Sequence, residues 1–432
     1  MLAISSYIDD IRTSSKNIKL FLISYLFFGL QAGCYWTTYT VIVQESFGTK
    51  SLGFILGLNN LVLALFAIPI GAITNKVGIK KMMFISGLLN TILMALAPFS
   101  PNMIILVALT IIQGPFSSAW DVLPAPLINA CSKEKGRTTI FSVMYAGYWA
   151  IVGIVSKFSG NFITYFQTQL NISQLEAYKY FYLITCAFSL LSIVPLFFMD
   201  SIKITDPNKK KNENPFSFKY ILKDFIDVAN RDVVLFLTYI SLIGLGSGLF
   251  TPFFANFFKT GLNLSPIVVG NIMSFQYFAL VIGILICPVV EKKLGRIGTL
   301  GITSMLSVPF MLLIANCNNF GSNMIPVLSF AFFMRSGLMN LNMPLANTEI
   351  IEFVNPDKSS TVSGIQSTCK IGFNSLSNFL AGYIMSIPAF NFFGLTIDGY
   401  RIPYYIAALL YLLPQILLFK VFYKRYNRSK NN

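Results

Sequence analysis

Histidine is absent from this 432-residue chain, and charged residues make up only 11% of it. Without histidine there is no imidazole base, no side chain that switches charge near neutral pH of its own accord, and no usual nitrogen ligand for zinc or haem. Any proton handling must therefore use a carboxylate. The six cysteines, Cys34, Cys131, Cys186, Cys287, Cys317 and Cys369, form no Cys-x-x-Cys pair. Most lie within or at the ends of apolar runs, where a free thiol behaves as a small hydrophobe. Together these features predict no metal and no cofactor. Also missing are a Gly-x-Ser-x-Gly nucleophile elbow and a Gly-x-x-x-x-Gly-Lys-Ser/Thr phosphate loop, which argues against hydrolase chemistry and ATP-driven pumping. The scarcity of charge excludes more. A water-soluble domain carries roughly 25% charged residues to wet its surface. Here 55% of the residues are hydrophobic, so lipid must cover much of the outside.

What is present is a series of apolar stretches, each about 20 residues long and able to cross a ~30 Å hydrocarbon core as a helix. They fall near 19–43, 52–73, 82–98, 103–127, 138–160, 179–199, 233–256, 267–290, 298–316, 323–347, 361–388 and 402–423. The pattern predicts an all-α membrane protein of twelve transmembrane helices in two six-helix halves, 1–199 and 233–432, joined by a polar linker, 200–232. The net charge of +15 raises the question of a nucleic-acid partner, but the basic residues sit in short clusters between apolar runs, as topology signals do. Alternate loops hold 25 Lys and Arg on one side and 5 on the other. That imbalance puts both termini and the linker in the cytoplasm, in a multi-pass protein of the plasma (cytoplasmic) membrane. The first run is longer than a signal-peptide core and follows Asp9 and Asp10, so it reads as a retained helix. Within the linker, Phe216 to Val228 is expected as a loose strand of chain or a short interfacial helix.

The two halves repeat. Gly29-Leu30-Gln31-Ala32-Gly33-Cys34-Tyr35 matches Gly244-Leu245-Gly246-Ser247-Gly248-Leu249-Phe250 at an offset of 215. Gly53 and Gly78 match Gly270 and Gly295 at an offset of 217, and Asn59 then falls opposite Gln276. Near-constant offsets over two spans and a loop predict two parallel, pseudo-symmetric units.

The loop between the second and third runs reads Gly71-Ala-Ile-Thr-Asn75-Lys76-Val-Gly78-Ile-Lys80-Lys81, and a degenerate copy follows the eighth, with Glu291, Lys292, Lys293, Gly295 and Arg296. This resembles the Gly-x-x-x-Asp-Arg/Lys-x-Gly-Arg/Lys-Arg/Lys signature of the major facilitator superfamily (MFS). The resemblance implies a secondary transporter whose halves rock about a midplane site, with the loop residues Gly71, Asn75, Lys76, Gly78, Lys80, Lys81, Lys292, Gly295 and Arg296 as gating elements. It also implies that spans 1, 4, 7 and 10 line the site, with 2, 5, 8 and 11 beside them. Asn75 departs from the signature by replacing its acid, so pairing there is reduced to a neutral hydrogen bond. The fourth span lacks the arginine of many proton-coupled members, and the fifth lacks the Gly-Pro antiporter motif.

Charges within apolar spans cost at least ~2.5–3.5 kcal/mol and are functional candidates by default. Lys370 and Arg335 fall near the midplane and would attract an anionic group, while Asp121 in the fourth span is the candidate coupling carboxylate. Gln31, Tyr35, Asn59, Gln113, Tyr145, Trp149, Gln276, Tyr277, Asn340, Gln366 and Asn374 are expected to complete a polar, aromatic binding site. The expected partners are a small-molecule substrate, a coupling proton or sodium ion, and the lipid bilayer; no nucleic acid is expected, and a monomer is. The substrate reads as an anion or zwitterion. Export of amphipathic or cationic compounds and a non-transporting receptor stand as alternatives.

Overall fold

The computed structural model describes residues 11–132, 134–201, 226, 228–354, 359–392 and 395–426. Its long helices, in chain order, are α1 Lys16–Phe47, α2 Thr49–Val77, α3 Ile79–Leu96, α4 Met103–Val122, α5 Glu134–Gln169 and α6 Gln174–Phe197. There follow α7 Arg231–Gly261, α8 Pro266–Leu294, α9 Arg296–Ala315, α10 Met324–Asn340, α11 Ser359–Met385 and α12 Ile402–Tyr426. A small hairpin between α11 and α12, β1 Phe390–Phe392 with β2 Leu395–Ile397, pairs Phe390 with Ile397. The expected interfacial segment 216–228 lies outside the described residues except for 226 and 228.

Ten of these helices are long and apolar enough to cross a membrane. The two expected spans that fall outside this group are α10 and α11. The α10 helix has 17 residues before its Leu341–Asn342 break, and α11, though 27 residues long, is crowded with Ser, Thr, Asn and Gln around Lys370. The lipid-facing character is plain elsewhere: Ile104 is 79% exposed and Leu65, Phe198 and Val289 are each at least 60% exposed. Single apolar side chains are common on any surface, but a display of this extent needs a hydrocarbon solvent.

Local sequence sets the helix ends. Asn102 and Asn230 accept from the backbone N–H of Ile105 and Val233, and Ser173 forms a reciprocal capping box with Glu176. Gly78 (φ 91°) and Gly295 (φ 73°) make the tight turns out of α2 and α8 in a region that disfavours any side chain. These two glycines are an expected repeat pair.

The chain forms two compact units: Met1–Ile42 with Val62–Ser217, and Val43–Leu61 with Phe218–Asn432. The C-terminal end of α1 and the start of α2 thus pack with the second unit. In the first unit α1 lies against α5 and α6, and α3 against α4 and α6. In the second, α7 lies against α11 and α12, and α9 against α10 and α12. The same pairings recur six helices on.

The repeat is visible atom by atom. A Cβ on Gly29 would stand 3.1 Å from the carbonyl oxygen of Tyr148, and one on Gly244 would stand 2.8 Å from that of Lys370. A Cβ on Gly33 would meet Val152 and Val155; one on Gly248 would meet Asn374 and Ser377. Each of the three partner pairs differs by 222 in number. Small residues let backbones approach where lipid offers no hydrophobic drive to associate. Just beyond the second glycine both helices leave α geometry. Tyr35–Tyr39 forms a π turn in α1, and Thr251–Phe253 forms a 3-10 turn at Pro252 in α7, where the missing N–H interrupts the ladder.

Candidate functional site

In the first unit the candidate amides form one network. Asn90 of α3 donates to Gln31 Oε1 at 3.2 Å and accepts from Gln113 Nε2 at 3.2 Å and from Ser117 Oγ at 2.6 Å. Gln31, Asn90 and Gln113 are all buried, so these bonds replace water that the site excludes. Asn90 and Ser117 were not singled out from the sequence. An amide in the apolar third run was the available signal, but the resemblance directs attention to other helices. Tyr35 stacks on Tyr39 at 5.1 Å and meets Trp36 edge-on. Trp149 packs edge-on against Tyr148. Tyr145 and Asp121 both present accessible side chains.

In the second unit, Lys370 lies eleven residues, or about 16 Å, along α11 from Ser359. Its backbone is held at the Gly244 crossing while its side chain remains accessible. No carboxylate among the described residues lies within ion-pair distance of it. One turn on, Asn374 donates to Gly244 O and Ser247 Oγ and accepts from Asn60 Nδ2 at 2.8 Å. The amide that meets Asn374 is thus Asn60; its predicted neighbour Asn59 is half-buried on the adjoining face of α2. Gln366 donates to Ala346 O, Asn340 back-bonds to Ser336 O, and Gln276 and Tyr277 are buried on α8.

Arg335 lies in different surroundings. It is 4% exposed, with its guanidinium carbon 4.8 Å from the Phe250 ring centroid and 5.4 Å from that of Phe254. One terminal nitrogen donates to Tyr411 Oη at 3.2 Å, and Nε has no hydrogen-bond partner. The aromatic faces supply negative potential where no described carboxylate does. These rings and Tyr411 were not legible as partners of Arg335 beforehand.

The two signature loops tie helix ends within their own units. Lys80 donates to the carbonyls of Phe197 at 2.9 Å and of Met199, capping the last turn of α6 with positive charge. At the equivalent loop Arg296 bonds Glu291 at 2.9 Å and Glu352, with Glu349 at 4.0 Å. Lys76, Lys81 and Lys292 are exposed. Gly71 and Asn75 lie in the last turns of α2, and the Asn75 side chain is outside the described set. The second unit therefore has an acid–base pair at this loop, and the first places a lysine on backbone carbonyls.

A sequence profile described as Major Facilitator Superfamily matches residues 21–370. No curated protein sequence matches the chain. Several solved structures are similar along nearly all of it. The nucleoside transporter NupG aligns at 16% identity and a TM-score of 0.69, over 94% of this chain and 99% of that one. The xylose transporter XylE from E. coli aligns at 12% identity and 0.68, over 96% and 98%. A bacterial homolog to the human lysosomal transporter Spinster aligns at 13% and 0.68, over 94% and 97%. At such identities the likeness is one of fold.

Proposed function

The chain belongs to the Major Facilitator Superfamily, and on that premise we propose that it moves a small organic anion or zwitterion across the membrane by alternating access. It is a transporter, not an enzyme. The observation that carries the substrate reading is Lys370: a cation deep in a helix, accessible, and without a described counter-ion. An ammonium in that condition is stabilised by an anionic ligand more than by any neutral one. Asn374, one turn away and fixed by Ser247 and Asn60, offers polar atoms beside it. Arg335, buried against the Phe250 and Phe254 rings, adds a second positive charge to the same unit.

The reading includes α10 and α11 as membrane-crossing helices, which brings the count to twelve. It takes 1–199 and 233–432 as the two six-helix halves, and both termini as cytoplasmic on the strength of the 25-to-5 division of basic residues. The polarity of α11 supports it, because polar side chains in a membrane helix belong on a face turned from lipid.

The test is thermal stabilisation of purified protein by a panel of carboxylate and phosphate monoanions, with and without Lys370→Gln. Losing a charge-assisted contact worth about 1.5–3 kcal/mol should weaken the stabilising anion by roughly ten- to a hundredfold. Equal stabilisation of both proteins by the same anion would sink the proposal.

A further inference from the structure

We infer that the first unit carries a binding site for an anionic phospholipid, where the starts of α1 and α3 meet the end of α6. Three helix ends bring lysines to one short stretch of chain. Lys80, in the first turn of α3, donates to the carbonyls of Phe197, at 2.9 Å, and of Met199. Lys16, the first residue of α1, stands 4.0 Å from the Asp200 carboxylate, and the Asp200 N–H donates to Asn17 Oδ1 at 2.9 Å. Lys16 and Lys80 thus converge on residues 197–200, and exposed Lys81 follows Lys80 in the same turn. Among the described residues, no acid other than Asp200 is within ion-pair distance of these lysines. The Asp200 side chain is itself 73% exposed, so water screens it. Positive charge is in excess.

Beside the lysines the surface is apolar. In α6, Leu190, Leu191, Val194 and Phe197 are exposed at helical spacing, and exposed Phe198 follows them. In α3, Ile85 is exposed one turn after Lys81, and Phe84 meets Phe197 edge-on with ring centroids 4.7 Å apart. The two helices pack along each other. From Phe197 back to Leu190 the stripe covers about 10 Å at helical rise. A cationic end and an apolar run of that length match a phospholipid headgroup and the upper part of its acyl chains.

The repeated loop of the second unit lacks this excess. There Arg296 bonds Glu291 and Glu352, with Glu349 at 4.0 Å. Three acids thus balance Lys292, Lys293 and Arg296. In the first unit neutral Asn75 stands at the acidic position of the signature, beside Lys76, Lys80 and Lys81. General attraction of basic loops to a charged membrane surface acts on both copies. A local excess of positive charge next to an exposed apolar stripe selects a lipid at one of them. Phosphatidylcholine fits less well, because its phosphate carries a cation that the lysines repel. A free phosphate ion has no chain to lay on the stripe.

The probes are palmitoyl-oleoyl phosphatidylglycerol and the phosphatidylcholine with the same chains, titrated into purified full-length protein and followed by native mass spectrometry. The expected result is retention of the phosphatidylglycerol roughly tenfold more tightly than the phosphatidylcholine. Lys81→Gln should weaken it about fivefold, and Lys80→Gln with Lys81→Gln roughly twenty- to thirtyfold, near fivefold for each charge. Lys292→Gln with Lys293→Gln removes the same charge from the second unit and should change the affinity by no more than about twofold. Phe198→Ser, which shortens the stripe, should weaken it roughly threefold or more. If loss of the Lys80 cap prevents folding, Lys81→Gln combined with Lys16→Gln decides. Equal retention of the two lipids, equal losses from the two loop pairs, or full phosphatidylglycerol affinity in Lys16→Gln with Lys81→Gln would each overturn the site. Displacement of the lipid by sn-glycerol 3-phosphate, which has no acyl chains, would overturn it in favour of a soluble phosphate ligand.

Discussion

Lys370 and Arg335 are two cations of the same unit held under opposite conditions. Lys370 is accessible, and its stem crosses a glycine; Arg335 is enclosed by Phe250, Phe254 and Tyr411. Truncation should separate them. Arg335→Ala removes a side chain that fills the space between two rings, and cavity formation with lost packing should cost about 2–4 kcal/mol. Lys370→Ala should not destabilise the protein, because it removes an unpaired charge from within a span. Denaturation of the unliganded proteins in detergent checks both, and a larger loss for Lys370→Ala would reverse the assignment of roles. The charges themselves stood out in the sequence because each interrupts an apolar run. Their surroundings did not. Phe250 and Phe254 are two of 41 phenylalanines, and nothing along the chain ties them to a residue some 80 positions away. Asn60 illustrates the same gap on a smaller scale. It neighbours the predicted Asn59, and one residue turns a helix by about 100°, so only the partner Asn374 decides which amide faces inward.

At the level of the helix, the glycines make a sharper statement than hydropathy. The Gly-x-x-x-Gly spacings at 29/33 and 244/248 set how closely α1 meets α5 and α7 meets α11. Gly244→Ala should place a methyl group 2.8 Å from the Lys370 carbonyl, and overpacking of this kind costs about 1–3 kcal/mol. Gly364→Ala, in α11, meets nothing within 4 Å and should gain up to about 1 kcal/mol of helix propensity. Melting temperatures of the two variants should move in opposite directions. The paired glycines and the turns at Gly78 and Gly295 were legible because a two-copy pattern repeats the signal. The π turn at Tyr35–Tyr39 and the break at Pro252 were less so. Proline marks the second, but the first depends on Thr37 and Thr38 bonding back to the carbonyls of Gly33 and Cys34, which no residue count reveals. The hairpin Phe390–Ile397 went unpredicted because three-residue strands carry too little alternation to detect.

For the molecule as a whole, the division of basic residues makes an orientation claim that labelling can decide. In a background free of native cysteines, Lys50→Cys and Lys179→Cys should react with an impermeant maleimide on intact cells. Lys81→Cys and Lys293→Cys should react only after permeabilisation. The reverse pattern would invert the topology. The compact units were less legible than the halves, because the residues 43–61 that join the second unit do so through amides and glycines rather than through a composition shift. Ser375 bonds to Gly57 O, Asn256 and Tyr400 bond to Gln44, and Lys259 pairs with Glu45.

The carbonyl of Tyr148 sits over Gly29 as the carbonyl of Lys370 sits over Gly244. Such a correspondence is what a duplicated ancestral gene leaves behind, with the offset widening from 215 to 222 as residues were inserted unevenly between the copies. The two copies then diverged at one position, one holding the phenol of Tyr148 and the other the amine of Lys370. One inherited place in the helix pair, reached twice, thus carries a charge in the second unit only.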